Sequence, residues 1–383
     1  MSTFTRRRFL AAAATASLAN SARSRAGALP SGAVGADARV DLTTGGIPLS
    51  AQEYAQLLER LTATGNPRDF YSRGGAVEAL EQQFAGLLGK EVALFMPSGT
   101  LANHIAVRTL AGRRRRVVLQ ETSHLYNDSG DCAQQLSGLT LVPLAPGRAS
   151  FTWEQVGAEI ERASAGRVPT DVGAISIESP VRRLRHESFD FASMQRISAE
   201  ARRSGIGMHF DGARVFLAAA YTDRSVTDYT ALFDTVYVSL WKCFNSGNGA
   251  ILAGPKTILE GMYNVRRMFG GALCHAWPDA VVASYFAEGY LGRIKTAVAI
   301  AEQAWAKLSS DDRFEIERVR NGTNTLRLVA KGVDANSYGA RLSLLGVDLP
   351  EPEDGSFWIQ VNETVRRLSA SDLVAKFTAA LRS

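Results

Sequence analysis

The sequence predicts an α/β fold: a mostly parallel sheet with helices on both faces, followed by a smaller C-terminal α/β unit. Three observations carry this reading. Seven short apolar runs, at 92–95, 117–120, 139–143, 172–177, 206–210, 235–239 and 249–253, have the length and β-branched content of buried strands. Helical periodicity fills several of the gaps between them, and strands that alternate with helices build parallel sheets covered on both faces. At 383 residues, 46% of them hydrophobic, the chain is long enough for one large domain and a second, smaller one.

Residues 1–28 differ from everything that follows. Thr5-Arg6-Arg7-Arg8-Phe9-Leu10 leads into an alanine-rich apolar run from Ala11 to Ala19 with no acidic residue, which is the composition of an export signal. The adjacent arginines resemble the twin-arginine address read by the bacterial system that exports folded proteins. Small-residue cleavage sites are available at Ala14-Thr15-Ala16 and Ala26-Gly27-Ala28, and the run is too short to span a bilayer. The expected location is exported or periplasmic; a cytoplasmic protein with a basic N-terminal tail is the alternative. The five arginines of this segment account for the whole formal charge of +5, so net charge gives no reason to expect a nucleic-acid partner. Cys132, Cys243 and Cys274 are odd in number and far apart, so neither a disulfide framework nor a metal site is expected.

A tether at 29–39 leads into a large domain expected over 40–290. Segments 51–63 and 76–88 read as amphipathic helices, the second with Val77, Leu80, Phe84, Leu87 and Leu88 at helical spacing. Further helices are expected at 99–111, 153–163 and 191–204. The run Arg113 to Arg116 reads as a solvated loop. The alanine-rich stretch 279–308 predicts one long helix that leads into the small domain, with the linking helix and that domain occupying 291–383. There, strands at 324–330 and 356–361 alternate with helices at 335–345 and 369–381.

Three motifs carry chemistry. Pro97-Ser98-Gly99-Thr100 lies between a strand and a helix, where backbone N–H groups, two hydroxyls and the positive end of the helix dipole form a cradle for phosphate. The bland alternative is an ordinary helix cap. His209-Phe210-Asp211-Gly212-Ala213-Arg214 ends a strand, and ligands of parallel sheets bind at the carboxyl ends of strands. Asp211 there suits a protonated ring nitrogen, although a carboxylate that caps the next turn and pairs with Arg214 is the plainer reading. Lys242, at the end of the apolar run Val236 to Trp241, is poorly solvated, which favours the neutral amine that attacks an aldehyde. Their order along the chain, at one inferred sheet edge, sets these three apart from chance.

Together these residues resemble the threonine aldolase and β-eliminating lyase family of fold-type-I pyridoxal-phosphate (PLP) enzymes, over about residues 40–330. The family's opening Asp-Leu-x-Ser/Thr resembles Asp41 to Thr44, its early tyrosine Tyr71, and its phosphate loop Ser98 to Thr100. His-x-Asp-Gly-Ala-Arg matches His209 to Arg214, and Ser-Leu-x-Lys matches Ser239 to Lys242. The resemblance implies PLP held as a Schiff base by Lys242, which is also the general base. By the same resemblance Ser98, Gly99, Thr100, Ser239 and Arg214 bind the cofactor, His124 stacks on its ring and Asp211 meets the ring nitrogen. Thr44, Tyr71, Arg182 and Arg214 are the implied substrate residues.

The implied reaction is aldol cleavage of a small β-hydroxy-α-amino acid to glycine and an aldehyde, by a homodimer or homotetramer. β-Elimination, racemisation and transamination stay open, and a non-catalytic exported binding protein is the reading of another class. A nicotinamide dehydrogenase would need Gly-x-Gly-x-x-Gly after the first strand, which the Ser98 turn lacks. The chain also departs from the family. After Ile177-Glu178 the family continues Asn-Thr, often with a histidine for the β-hydroxyl, whereas Ser179-Pro180-Val181-Arg182 stands here. Cys243-Phe244-Asn245 replaces a glycine-rich turn, Leu273-Cys274-His275 lacks the arginine of the family's Met-Arg-Gln, and Phe357 to Asn362 contains no arginine for a substrate carboxylate.

Overall fold

The computed structural model describes residues 39–382, so the signal reading and nearly all of the tether lie outside the described residues. Twelve strands occur within that range, in chain order β1 (Val40–Asp41), β2 (Val92–Met96), β3 (Arg116–Gln120), β4 (Thr140–Leu144), β5 (Val172–Glu178), β6 (Gly207–Asp211), β7 (Thr235–Ser239), β8 (Ala250–Gly254), β9 (Phe314–Arg318), β10 (Thr325–Ala330), β11 (Val347–Asp348) and β12 (Phe357–Gln360). Strands β2 to β8 are the seven the apolar runs predict, and they form one sheet in the order β2-β8-β7-β6-β5-β3-β4. All neighbours from β7 to β4 run parallel. Only β8 is reversed, antiparallel to both β7 and β2. Two reversals restore direction, so β2 points the same way as β7.

Both faces of this sheet are covered, as the continuous apolar content of β5, β7 and β8 requires. The helix Gly75–Leu88 buries Val77, Leu80, Phe84 and Leu88 on one side, and Gly99–Ala111 buries Ala102, Ile105, Ala106 and Val107. An aromatic cluster fixes the short helix Leu240–Cys243 beyond β7. Phe244 meets Phe84, Phe216 and Tyr290 edge to face at 5.1, 5.1 and 5.0 Å. Each such pair contributes about 0.5–1.5 kcal/mol beyond burial, which anchors the segment that carries Lys242.

The structure corrects three expectations. The single helix expected over 279–308 is two, Trp277–Ala287 and Tyr290–Ser309, because Gly289 takes a left-handed φ of 64° between them. The second buries Ile294, Ala297, Ala301, Ala304, Trp305 and Leu308 at intervals of three and four, which packs the small unit onto the large one. Strand β9 was not anticipated: in Phe-Glu-Ile-Glu-Arg only Phe314 is buried, and three charged side chains mask the alternation of an edge strand. β1 pairs with β11, so the first described residues join the small C-terminal unit rather than the seven-stranded sheet. The arginine run is the solvent-facing loop the sequence predicts over 113–115, where Arg114 donates to the Gly205 carbonyl and Arg115 to that of Ser137; Arg116 opens β3 and pairs with Glu159 at 3.1 Å. Among the described residues no helix is long and apolar enough to cross a membrane.

Candidate active site

The carboxyl ends of β3, β5, β6 and β7 lie at one edge of the sheet, and β2, running the same way as β7, ends there too. Topology therefore delivers Ser98, His124, Glu178, Asp211 and Lys242 to one edge, where open α/β sheets bind ligands.

Ser98 is both a cap and an open turn. In extended conformation it accepts from the Leu101 N–H at 3.2 Å, while the first N–H groups of the helix Gly99–Ala111 have no intrahelical acceptor. Glycine at position 99 is dictated from outside the loop, because a Cβ there would stand 2.1 Å from the buried phenol oxygen of Tyr237. The Thr100 hydroxyl lies 3.5 Å from Nε2 of His124, which ties the turn to the loop after β3.

Asp211 ends β6, buried, in a polar chain not read from the sequence. The Asn103 amide donates to its Oδ2 at 2.6 Å, Asn103 Oδ1 lies 2.8 Å from His209 Nε2, and His209 Nδ1 lies 2.9 Å from the Thr235 hydroxyl. Burial pushes His209 down to about 4, so it is a neutral imidazole that bridges two hydrogen bonds. Asp211 Oδ1 accepts from Ala213 N at 3.2 Å, the turn-capping contact, but the side chain of Arg214 does not pair with it. The guanidinium of Arg214 makes no hydrogen bond or ion pair among the described residues, although burial lowers its pKa. A half-buried guanidinium with no protein anion on it is open to the carboxylate or phosphate of a ligand.

Lys242 sits one turn beyond β7. Burial first, then the Arg214 charge, brings its amine down to about 8, against the pull of Asp211 and Glu178. Ser239, three residues earlier, has a buried hydroxyl without a hydrogen-bond partner.

His124 is held at three points. Its backbone N–H donates to Glu178 Oε2 at 2.5 Å, its Nε2 faces Thr100, and its Nδ1 lies 3.8 Å from Asp128. Asp128 also accepts from Arg182 at 2.5 Å and Arg183 at 2.7 Å, which holds its carboxyl down to about 2. The Arg182 side chain is therefore already partnered by a protein carboxylate. Thr44 donates to the Gly46 carbonyl at 3.0 Å, and a Cβ on Gly46 would stand 2.9 Å from the Lys242 carbonyl, so this turn lies against the lysine's backbone. Tyr71 is elsewhere. Its ring packs 4.7 Å from the Arg267 guanidinium in a groove of about 930 Å³ lined also by Phe70, Arg73 and Tyr263, and none of Ser98, Asp211, Arg214 and Lys242 lines that groove.

Asn103 and Glu178 are the residues sequence reasoning missed. The one signal for Asn103 was a polar side chain at a helical position that should be buried; for Glu178, a carboxylate that closes an apolar strand.

A poorly solvated amine, a buried carboxylate and an open helix-capping turn at one edge of this sheet are the arrangement of the fold-type-I pyridoxal-phosphate enzymes. A family model described as Beta-eliminating lyase matches residues 58–337, and the chain belongs to that family. It is 30% identical over 225 residues to aldolase vrtJ of Penicillium aethiopicum, covering 58% of this chain and 56% of that protein. To the low specificity L-threonine aldolase of Saccharomyces cerevisiae it is 28% identical over 196 residues, covering 51% and 50%. The matched region thus spans about half the length of these relatives. A solved structure from Listeria monocytogenes EGD-E, provisionally described as an L-allo-threonine aldolase, superimposes with a TM-score of 0.71 at 26% identity, covering 91% of this chain and 97% of that one.

The site fits the cofactor of its class. The unpartnered Ser239 hydroxyl and the N–H groups at Gly99 and Thr100 suit phosphate, the poorly solvated Lys242 amine suits an aldehyde, and Asp211, oriented by Asn103, suits a ring nitrogen.

Proposed function

We propose that the chain is a PLP-dependent lyase that cleaves the Cα–Cβ bond of a small β-hydroxy-α-amino acid to glycine and an aldehyde. The observation that carries the reading is Lys242, an amine brought down to about 8 by burial and by the charge of Arg214, whose guanidinium has no protein anion on it. When bound, the cofactor supplies an electron sink for the carbanion formed at the substrate α-carbon. Arg214 takes the substrate carboxylate. Asp211 keeps a proton on the ring nitrogen, and Asn103 keeps Asp211 aimed. Lys242, a neutral amine once its attachment is released, takes the β-hydroxyl proton as the aldehyde leaves and, as the ammonium, returns it to the α-carbon of glycine. His124 covers the ring face and excludes water from it. Arg182 and Thr44 border the substrate, Arg182 only if it parts from Asp128, and Tyr71 serves a site only in an assembly that brings its groove to one.

The test is a screen of purified protein loaded with PLP against threonine, allo-threonine, serine and alanine. Release of glycine and aldehyde from the β-hydroxy amino acids is expected. Capture of PLP should quicken as pH rises through about 8, because a lowered lysine pKa makes the attacking neutral amine available from that pH upward. Pyruvate and ammonia in place of aldehyde would establish β-elimination instead, and inverted alanine would establish racemisation.

A homodimer, or a pair of them, is the proposed assembly, in keeping with the exposed Phe70 and Met268 beside the Tyr71 groove. Export through the twin-arginine route is proposed from residues 1–28. Cell fractionation checks it: Arg6-Arg7→Lys-Lys should hold the protein in the cytoplasm, and an unchanged distribution would sink the idea.

A further inference from the structure

Glu178 is the last residue of β5 and stands beside Asp211 in the β5–β6 register. It is buried, and its two carboxylate oxygens serve two different loops. Oε2 accepts from the His124 backbone N–H at 2.5 Å, and Oε1 from that of Arg182 at 2.9 Å. Its own backbone is clamped by the side chain of Gln120, which accepts from Glu178 N at 3.0 Å and donates to Glu178 O at 2.7 Å. The carboxylate is thus a fixed post on which the loops after β3 and β5 both hang. A second buried carboxylate next to Asp211 is costly to ionise, and two backbone N–H groups alone can be satisfied by neutral acceptors.

We propose that Glu178 is a positioning residue for the reaction: ionised, it holds the His124 and Arg182 loops at their set distance from Lys242 and Asp211; protonated, it releases one of them. This rests on the lyase reading of the site. A carboxylate accepts at both oxygens. A carboxylic acid keeps one strong acceptor, its carbonyl oxygen; its hydroxyl oxygen accepts only weakly, so the backbone N–H that faces it is no longer firmly held.

The groups that face Glu178 set where the switch falls. Burial first and Asp211 second push its carboxyl up to about 7, against the two backbone bonds and Lys242. Arg183, Arg214 and Tyr237 feel its charge from the neighbouring loops and β7. The carboxylate form therefore gains as pH rises through neutrality, and both loops are held above that range. Below it one is freed.

The test uses full-length holoenzyme, with kcat and KM followed between about pH 5.5 and 8. Wild type should show an acid limb in kcat near neutrality. Glu178→Gln, whose amide always faces one N–H with a donor, should lack that limb and run about 10- to 100-fold below the wild-type plateau, with KM changed less than kcat. In a His124→Asn background the same substitution should cost less than about threefold, since the residue acts through His124. A glutamine variant that keeps the limb, or loses the same factor in both backgrounds, overturns the proposal.

Should that variant fail to fold, Glu178→Asp keeps the charge and should keep the limb at a reduced plateau; loss of the limb there also overturns it. The second readout needs no turnover. The His124 imidazole NMR signal should shift near neutrality in wild type and stay flat there in the folded Glu178 variant that cannot titrate. If no amino acid is turned over, the lyase reading fails and this signal alone decides: a His124 resonance indifferent to Glu178 refutes the positioning role.

Discussion

Lys242→Ala should take up PLP without the absorbance of the lysine-bound cofactor and lose at least about 10⁴-fold in turnover, the scale seen when a covalent catalytic group is removed. The size follows from the site. Among the described residues Lys242 is the amine held at this sheet edge, near pKa 8, between Arg214 and Asp211. On the proposed reading, alanine removes both the attachment point and the amine that takes up a proton and delivers it to the α-carbon. The fold should survive, because the flanking segment is held by Phe244 against Phe84, Phe216 and Tyr290 rather than by the lysine. Difference spectra and a thermal melt check both halves, and a variant that keeps the lysine-bound band would refute the assignment.

Asp211→Asn should be the second largest loss, about 10³-fold in kcat, with a measurable fall in Tm. Two effects add here. The negative charge that keeps a proton on the ring nitrogen disappears, which removes an electrostatic term made for the charge-separated state. One of the two hydrogen bonds to the carboxylate is also lost. An amide oxygen can still accept from Asn103, but its NH₂ then faces the Ala213 N–H, and the reverse orientation sets it against the Asn103 NH₂. One buried donor is left unsatisfied either way, at about 1–3 kcal/mol. Steady-state kinetics of the loaded variant, with its melting curve, tests this. Unchanged kcat would mean that Asp211 does not serve the ring.

The residues that local chemistry selects were legible in the chain. Ser98 and Gly99 follow a strand and open a helix, Asp211 closes a strand, and Lys242 follows another, each placed by the periodicity of its own segment. The seven strands of the main sheet were read with boundaries within a residue or two, because buried parallel strands are short, continuous apolar runs. Where the pattern is weak the reading failed. β9 carries charged residues between its apolar ones, and Gly289 breaks a helix whose alanine-rich sequence continues on both sides.

The sequence by itself determined the class of fold and singled out the Ser98 turn, Asp211 and Lys242 as candidates for phosphate, ring nitrogen and Schiff base, for each depends on residues adjacent in the chain. Only the tertiary structure decided what faces them. Asn103 meets Asp211 across 108 positions, Glu178 reaches His124 across 54, and Tyr237 forbids a side chain at Gly99. It also showed Arg182 bound to Asp128 and Tyr71 drawn away to Arg267. The physical reason is one and the same. Propensity and periodicity report which face of a segment is buried, whereas a hydrogen-bond partner or a steric limit is set by whichever strand lies opposite, and strand order in a sheet is not linear in sequence.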